Sequence, residues 1–425
     1  MNTGKKIPEW FTDARFGMFI HWGLYSMPAR HEWVKRREHI YDENYQIYFD
    51  LFDPDLFQPK LWAAKAKAAG MKYFVITTKH HEGFCLWDTK YTDFKAPNTP
   101  CGKDLLREVV DAFRAEGIHV GFYYSLIDWN HPDFTIDCFH PYKNLPPEEK
   151  AAANAKRDMA KYRQYMKNQV TELLTNYGKI DILWFDFSYP RDDGNGKGHD
   201  DWDSAGLLDL VYGLQPDIIV DNRLDYPNPY ALVTPEQYTP AEPVLDEDGN
   251  PAVWEGCQTF SGSWGYHRDE TSWKTPKMCI QLLIDHVARG GNLLMNVGPT
   301  SRGTFDYRAI ECLDAYAEWM AGNSRSIYGC GYAPFKEADG CRYTYNAKTN
   351  RLYVHVYSWP FHHLHLPEMA GKVKYAQILA DGSEITFSEN AESCGRTATP
   401  KGYLTLHLPD LAPKTPVPVI ELFLK

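Results

Sequence analysis

The chain has 425 residues, room for about three ordinary domains or one large domain with a smaller companion. Hydrophobic residues at 44% and charged residues at 24% exclude a disordered or fibrous chain, and a formal charge of −11 makes the surface repel nucleic-acid backbones and anionic membranes. Thirteen Trp, 28 Tyr and 21 Phe supply rings that either stack on the apolar faces of sugars or fill a large core, a choice left to their positions. Nine cysteines, Cys394 among them, show no C-x-x-C spacing and suggest neither a zinc ribbon nor a disulfide framework. The opening MNTGKKIPEWFTDARFG has no apolar run of signal-peptide length, and no stretch approaches 18 apolar residues. The expectation is a cytoplasmic chain with no membrane or nucleic-acid partner; its oligomeric state leaves no mark in the sequence.

The first predicted strand is FGMFI at 16–20, followed by a helical pattern at 59–70 and a strand at 73–78, YFVITT. A helix over 102–117 precedes a strand at 118–125, and one long helical pattern over 146–178 precedes IDILWF at 180–185. Strands at 217–221 and 253–257, a helix over 273–291 and the strand NLLMNVG at 292–298 complete the series. Strands that are apolar throughout belong to a parallel sheet covered on both faces. No G-x-G-x-x-G opens a helix, so the alternation predicts a TIM-type (β/α)8-like barrel over residues 1–333 rather than a doubly wound sheet. The acidic segment 241–251 reads as an exposed connection. Past residue 334 the chain turns to short alternating runs separated by Gly, Pro, Asn and Asp, which predicts an all-β sandwich over 334–425.

In such barrels the reacting groups follow the strands at their C-terminal ends. Here His21-Trp22 follows the first strand and His80-His81-Glu82 the second, with Tyr123-Tyr124-Ser125 ending the third. Asp186 follows the fourth at its end, Arg223 follows the fifth, Glu236 lies before the sixth and Glu255 within it. Asp186 is the strongest candidate: it sits on a rigid strand end between aromatics, and no helix starts at once for it to cap. His80 and His81 are adjacent and lack H-E-x-x-H spacing, so hydrogen bonds to hydroxyls explain them better than a metal. Arg223 reads either as an orienter of a carboxylate or as an ordinary salt-bridge partner.

The ordered set FGMFIHWG, HEW, TTKHHEGFCLW, GFYYS, LWFDF, TPEQ, WEGCQTF, SWGY and GGNLLMNVGP resembles glycoside hydrolase family 29, the α-L-fucosidases, over essentially the whole chain. The resemblance implies a catalytic barrel followed by a β-sandwich. It also implies an exo-acting, retaining release of terminal α-L-fucose from oligosaccharides or glycoconjugates, with no cofactor. Asp186 matches the nucleophile position; for the general acid/base Glu236 is favoured and Glu255 second, with Glu242 and Glu32 behind. Carried over as sugar-binding residues are His21, Glu32, Trp33, His80, His81, Tyr124, Trp184, Arg223 and Trp264. Phe187 follows Asp186 where many family members have Gly, which leaves linkage preference, and fucose against L-galactose, open. A sugar-binding protein without turnover is the alternative from another class.

Overall fold

The computed structural model describes residues 7–245, 249, 251–389 and 401–425. The basic start at 1–6, residues 246–248 and 250 of the acidic connection, and Cys394 lie outside the described residues.

Seven parallel strands form one curved sheet: β1 (Phe16–Ile20), β2 (Tyr73–Lys79), β3 (His119–Ser125), β4 (Ile182–Asp186), β5 (Ile219–Val220), β6 (Glu255–Thr259) and β7 (Asn292–Val297). Their order is β5-β4-β3-β2-β1-β7-β6, so each sequence-predicted strand takes a place in it. The two edge strands are joined by a segment whose short apolar run, YALV at 230–233, is cut off by Thr234 and Pro235. Parallel bridges Asp221↔Leu232, Val233↔Trp254 and Glu236↔Cys257 make residues 232–236 an eighth, irregular stave. Pro235 in its middle has no N–H to give to a ladder, which keeps this stave from regular strand geometry.

Alternate residues of each strand point inward, as the two-residue strand repeat requires. Phe19, Val75, Tyr123, Trp184, Leu232, Cys257 and Leu294 belong to one buried cluster inside the barrel. Their neighbours Ile20, Ile76, Tyr124, Phe185 and Val297 belong to another, between the strands and the surrounding helices. At Gly17 an added Cβ would lie 2.4 Å from the Tyr73 ring, so the missing side chain is what admits that phenol to the barrel floor.

Helices at Pro59–Ala68, Leu105–Ala115, Met159–Asn176, Pro276–Ala288 and Tyr307–Asn323 cover the outside. The predicted 146–178 helix is two: Pro147–Asn154, which buries nothing, and Met159–Asn176. The break falls where the Asp158 carboxylate accepts the Ala160 N–H, an N-cap that starts a new helix.

The C-terminal part is a β-sandwich. One sheet contains β8 (Cys341–Asn346), β9 (Arg351–Val356), β11 (Val373–Ile378) and β14 (Val419–Leu424); the other contains β10 (His363–Leu366), β12 (Phe387–Ser388) and β13 (Leu404–His407). Their inner faces share a core including Val354, Leu366, Ala376, Leu406 and Ile420. Contacts with the barrel include Arg342 Nε to Asp285 at 2.8 Å and the Trp319 indole N–H to the Val417 carbonyl at 2.8 Å.

Candidate active site

The C-terminal ends of the strands converge on one pocket. Phe19 and His21 reach it from β1 and the residue that follows, and His80 and His81 from the turn after β2. Tyr123 comes from β3, Trp184 and Asp186 from β4, Arg223 from beyond β5 and Glu236 from the eighth stave. Glu32, Trp33, Phe187, Cys257 and Trp264 complete the wall.

One guanidinium organises the reactive groups. Arg223 Nη1 donates to Asp186 Oδ1 at 2.9 Å and to Glu236 Oε2 at 2.8 Å. Two oxygens held by the same nitrogen at those distances are no more than about 5.7 Å apart, which allows the separation of about 5–5.5 Å that a retaining carboxyl pair needs. Arg223 is itself fixed by Thr234, through Oγ1 and the carbonyl at 3.1 Å each, and lies over the Trp184 ring at 4.4 Å. Burial works against its charge, but Asp186 and Glu236 among its neighbours outweigh that and raise its pKa. The other oxygen of Asp186 accepts the Tyr123 hydroxyl at 2.8 Å. Burial, with the Asp186 charge beside it, raises the Tyr123 pKa, so the phenol remains a donor. Glu236 is the more open carboxyl, its side chain 44% exposed against 13% for Asp186, and so faces the water side of the pocket.

The imidazoles are uncharged hydrogen-bonding groups. Burial depresses His21 and His81 to about 3 and moves His80 in the same direction. Ser125 Oγ gives its proton to the Ile127 carbonyl and therefore accepts from His81 Nδ1 at 2.6 Å, leaving Nε2 of that ring as the acceptor. His21 Nδ1 pairs with the Asn296 amide oxygen at 2.6 Å, which again makes Nδ1 the donor. Glu32 Oε2 accepts the N–H groups of Trp264 at 3.2 Å and Gly265 at 3.0 Å, tying two walls of the pocket together. Its Oε1 is buried without a hydrogen bond: His31 Nδ1, 3.0 Å away, already accepts the Trp33 N–H. Desolvation raises Glu32 to about 7. A sugar hydroxyl entering the pocket would satisfy that oxygen.

Two expectations are corrected by strand parity and depth. Tyr124 does not face the pocket: it points outward, donates to Gln169 Oε1 at 2.8 Å and has Lys79 Nζ 4.3 Å from its ring. Tyr123 takes the inward place, because it pairs with Trp184 across β3 and β4. Glu255 points inward but does not line the pocket, since β6 starts with it and it sits at the barrel floor. There it accepts the Tyr73 hydroxyl and the Trp184 indole N–H, the latter at 3.2 Å, and desolvation raises it to about 7. Of the other sequence candidates all but Glu242 line the pocket, while Phe19, Tyr123 and Cys257 were not foreseen. The signal for Tyr123 and Phe19 was available: both share a face with residues already chosen, Phe19 two places before His21 and Tyr123 beside Trp184. Among the described residues no group of three His, Cys, Asp or Glu is arranged to hold a metal ion.

A sequence profile of the family described as α-L-fucosidase matches residues 1–325. The plasma α-L-fucosidase of Homo sapiens is 30% identical over 356 residues, 76% of this chain and 70% of that protein. Among solved structures, α-L-fucosidase isoenzyme 1 from Paenibacillus thiaminolyticus superposes with a TM-score of 0.90 at 44% identity over 98% of both chains. A glycoside hydrolase family 29 α-L-fucosidase from Bacteroides thetaiotaomicron, trapped as a covalent intermediate with 2-fluoro-fucosyl fluoride, superposes with a TM-score of 0.83 at 30% identity. That match covers 98% of this chain and 95% of the other.

Proposed function

This chain belongs to glycoside hydrolase family 29, the α-L-fucosidases, and we propose that it releases terminal α-L-fucose by double displacement between Asp186 and Glu236. It is a glycosidase acting on fucosylated oligosaccharides or glycoconjugates. The observation that carries the reading is the pair of carboxyls bonded to one nitrogen of Arg223 beside a pocket of uncharged imidazoles.

In the first step an Asp186 oxygen attacks the anomeric carbon while Glu236 donates its proton to the departing glycosidic oxygen. The C–O bond to the aglycone breaks, and its electron pair leaves with the protonated alcohol. Tyr123 and Arg223 each hold one Asp186 oxygen and aim the carboxylate. In the second step Glu236, now a carboxylate, takes a proton from water, whose oxygen displaces Asp186 from the sugar. Configuration is inverted twice and therefore retained. Sugar hydroxyls are paired by His21, His80, His81 and Glu32, whose buried Oε1 lacks a partner. Phe19, Trp33, Trp184 and Trp264 give the apolar surface that the ring face and the 6-methyl group require.

The test is the initial rate on nitrophenyl α-L-fucoside of the wild-type protein beside Asp186→Asn. Turnover present in the first and at least about a thousandfold lower in the second supports the assignment. Binding of fucose by both with hydrolysis by neither would leave a sugar-binding protein instead.

A further inference from the structure

We propose that Asp221, a buried acid with no part in the chemistry above, is the positioning residue of the nucleophile: its carboxyl takes the place of the strand that β4 lacks at its end and fixes the peptide that leads into Asp186. The inference rests on the fucosidase reading and on Asp186 as nucleophile, and it is independent of which glutamate is the acid/base.

A nucleophile at the end of a parallel strand is aimed precisely only when its backbone is held from both sides. On one side β3 does this: Tyr124 and Ser125 pair with Phe185 and Asp186, and the Leu126 N–H bonds the Asp186 carbonyl at 3.0 Å. On the other side β5 is two residues long, and its last pair with β4 is Leu183↔Val220. Trp184, Phe185 and Asp186 therefore run past the end of that ladder. The Asp221 side chain bridges the gap, its Oδ1 accepting the Phe185 N–H at 3.1 Å. Asn222 repeats the device toward the eighth stave, its Oδ1 accepting the Thr234 N–H at 3.2 Å and the Thr234 hydroxyl at 3.0 Å. Thr234 in turn holds Arg223. Three consecutive residues thus fix the approach to Asp186 on one side and the guanidinium that bonds it on the other.

Asp221 is 1% exposed, and among the described residues its Oδ2 is buried without a hydrogen-bond partner. An ionised carboxylate in that position would leave its charge unsolvated. Burial raises its pKa well above the ordinary carboxylate range, against the pull of the Arg223 charge and the Phe185 N–H, and with the Asp186 charge pushing the same way. The uncharged form also suits the site. Arg223 already serves two carboxyls, and a third negative charge beside Asp186 would make the nucleophile harder to keep ionised. What the position needs is one acceptor oxygen for one N–H, and an amide supplies that in the same shape.

The experiment measures kcat on nitrophenyl α-L-fucoside and the inhibition constant of free fucose for wild type, Asp221→Asn, Asp221→Ala and Asp221→Leu, with thermal unfolding of each to give the folded fraction at the assay temperature. Asn keeps the acceptor oxygen, and its kcat should stay within about threefold of wild type. Ala and Leu remove the acceptor, Leu with methyl groups where the oxygens stood, and kcat per folded molecule should fall at least about tenfold, as for a shift of about half an ångström where about 1 Å costs about a hundredfold. Fucose should bind all four proteins within about threefold, because His21, His80, His81 and Glu32 are held by other elements. The proposal is overturned when either apolar variant folds and keeps wild-type kcat, when Asn loses as much as they do, or when fucose binding falls in step with kcat. Failure of both apolar variants to fold overturns it as well, in favour of a purely structural acid. Absence of turnover in wild type is a different result: it removes the fucosidase reading, and this inference with it.

Discussion

Replacing Glu255 by Gln separates two roles that the sequence allows for this residue. In the structure it is a floor carboxyl with two donors, the Tyr73 hydroxyl and the Trp184 indole, and no cation. Desolvation moves it from 4.5 to about 7. Below about pH 4.5 both folded and unfolded chains carry the proton and nothing is lost. As pH rises the unfolded chain ionises first, so stability falls until the folded group titrates near 7, and above that the loss is constant at about 3 kcal/mol. At about pH 5 less than about 1 kcal/mol of this has been lost, so most of the loss, about 2 to 3 kcal/mol, separates pH 5 from pH 9. Glu32 and Glu82, also raised to about 7 by desolvation, add to the same trend but are common to both proteins. The difference between Glu255→Gln and wild type isolates one group. For a cooperative unit of this size, with an unfolding entropy of about 0.9 kcal/mol/K, the variant should gain about 3 °C in Tm relative to wild type between pH 5 and pH 9. The assay is thermal unfolding across that range, with nitrophenyl fucoside turnover at pH 7 in parallel. Turnover should stay within about tenfold, because Glu255 touches Trp184 and not the pocket. A difference that does not change with pH refutes the desolvated carboxyl. A loss of turnover beyond about a hundredfold that azide restores would make Glu255 the acid/base after all.

Tyr123→Phe removes the hydroxyl from Asp186 and should lower kcat about 10- to 100-fold, the loss of a hydrogen bond to a charged group; Tyr124→Phe should leave kcat unchanged, and equal effects on kcat would refute the parity assignment. Arg223→Lys cannot donate from a planar fork to both carboxyls while lying on Trp184, and kcat/KM on the nitrophenyl substrate should fall at least about tenfold; wild-type values would show that Arg223 is only a surface partner. Glu236→Ala should slow substrates with poor leaving groups far more than α-L-fucosyl fluoride, which needs no proton, and azide should restore turnover with a fucosyl azide of retained configuration. An inverted product would contradict the double displacement.

Most of the regular strands were legible as short apolar runs buried on both faces, and β4 ends at Asp186; β6, EGCQT, is the polar exception and overlaps the predicted strand 253–257 only in part. The eighth stave was not, since residues 232–236 contain Pro235 and polar neighbours, and only their bridges to residues 221, 254 and 257 make them part of the barrel. The same stave carries Glu236, so the residue hardest to place by pattern lies on the element hardest to see. The family resemblance points to Tyr124, but two adjacent tyrosines lie on opposite faces of a strand, and a one-residue step exchanges inside for outside.

Chemical type was settled by the sequence alone: carboxyls, imidazoles and rings at strand ends, in an order that matched one hydrolase family, with a β-rich segment after the barrel. Local periodicity and residue identity carry that much, because they depend on neighbours in the chain. What the tertiary structure decided is which of those groups meet. Arg223 bonds Asp186, 37 residues back, and Glu236, 13 residues on, and the Trp264 and Gly265 N–H groups reach Glu32 across 232 and 233 positions. Distances between carboxyls, the depth of Glu255 below the pocket and the left-handed turn at Phe187 follow from barrel closure, which sums contacts from the whole chain and has no signature in any single segment.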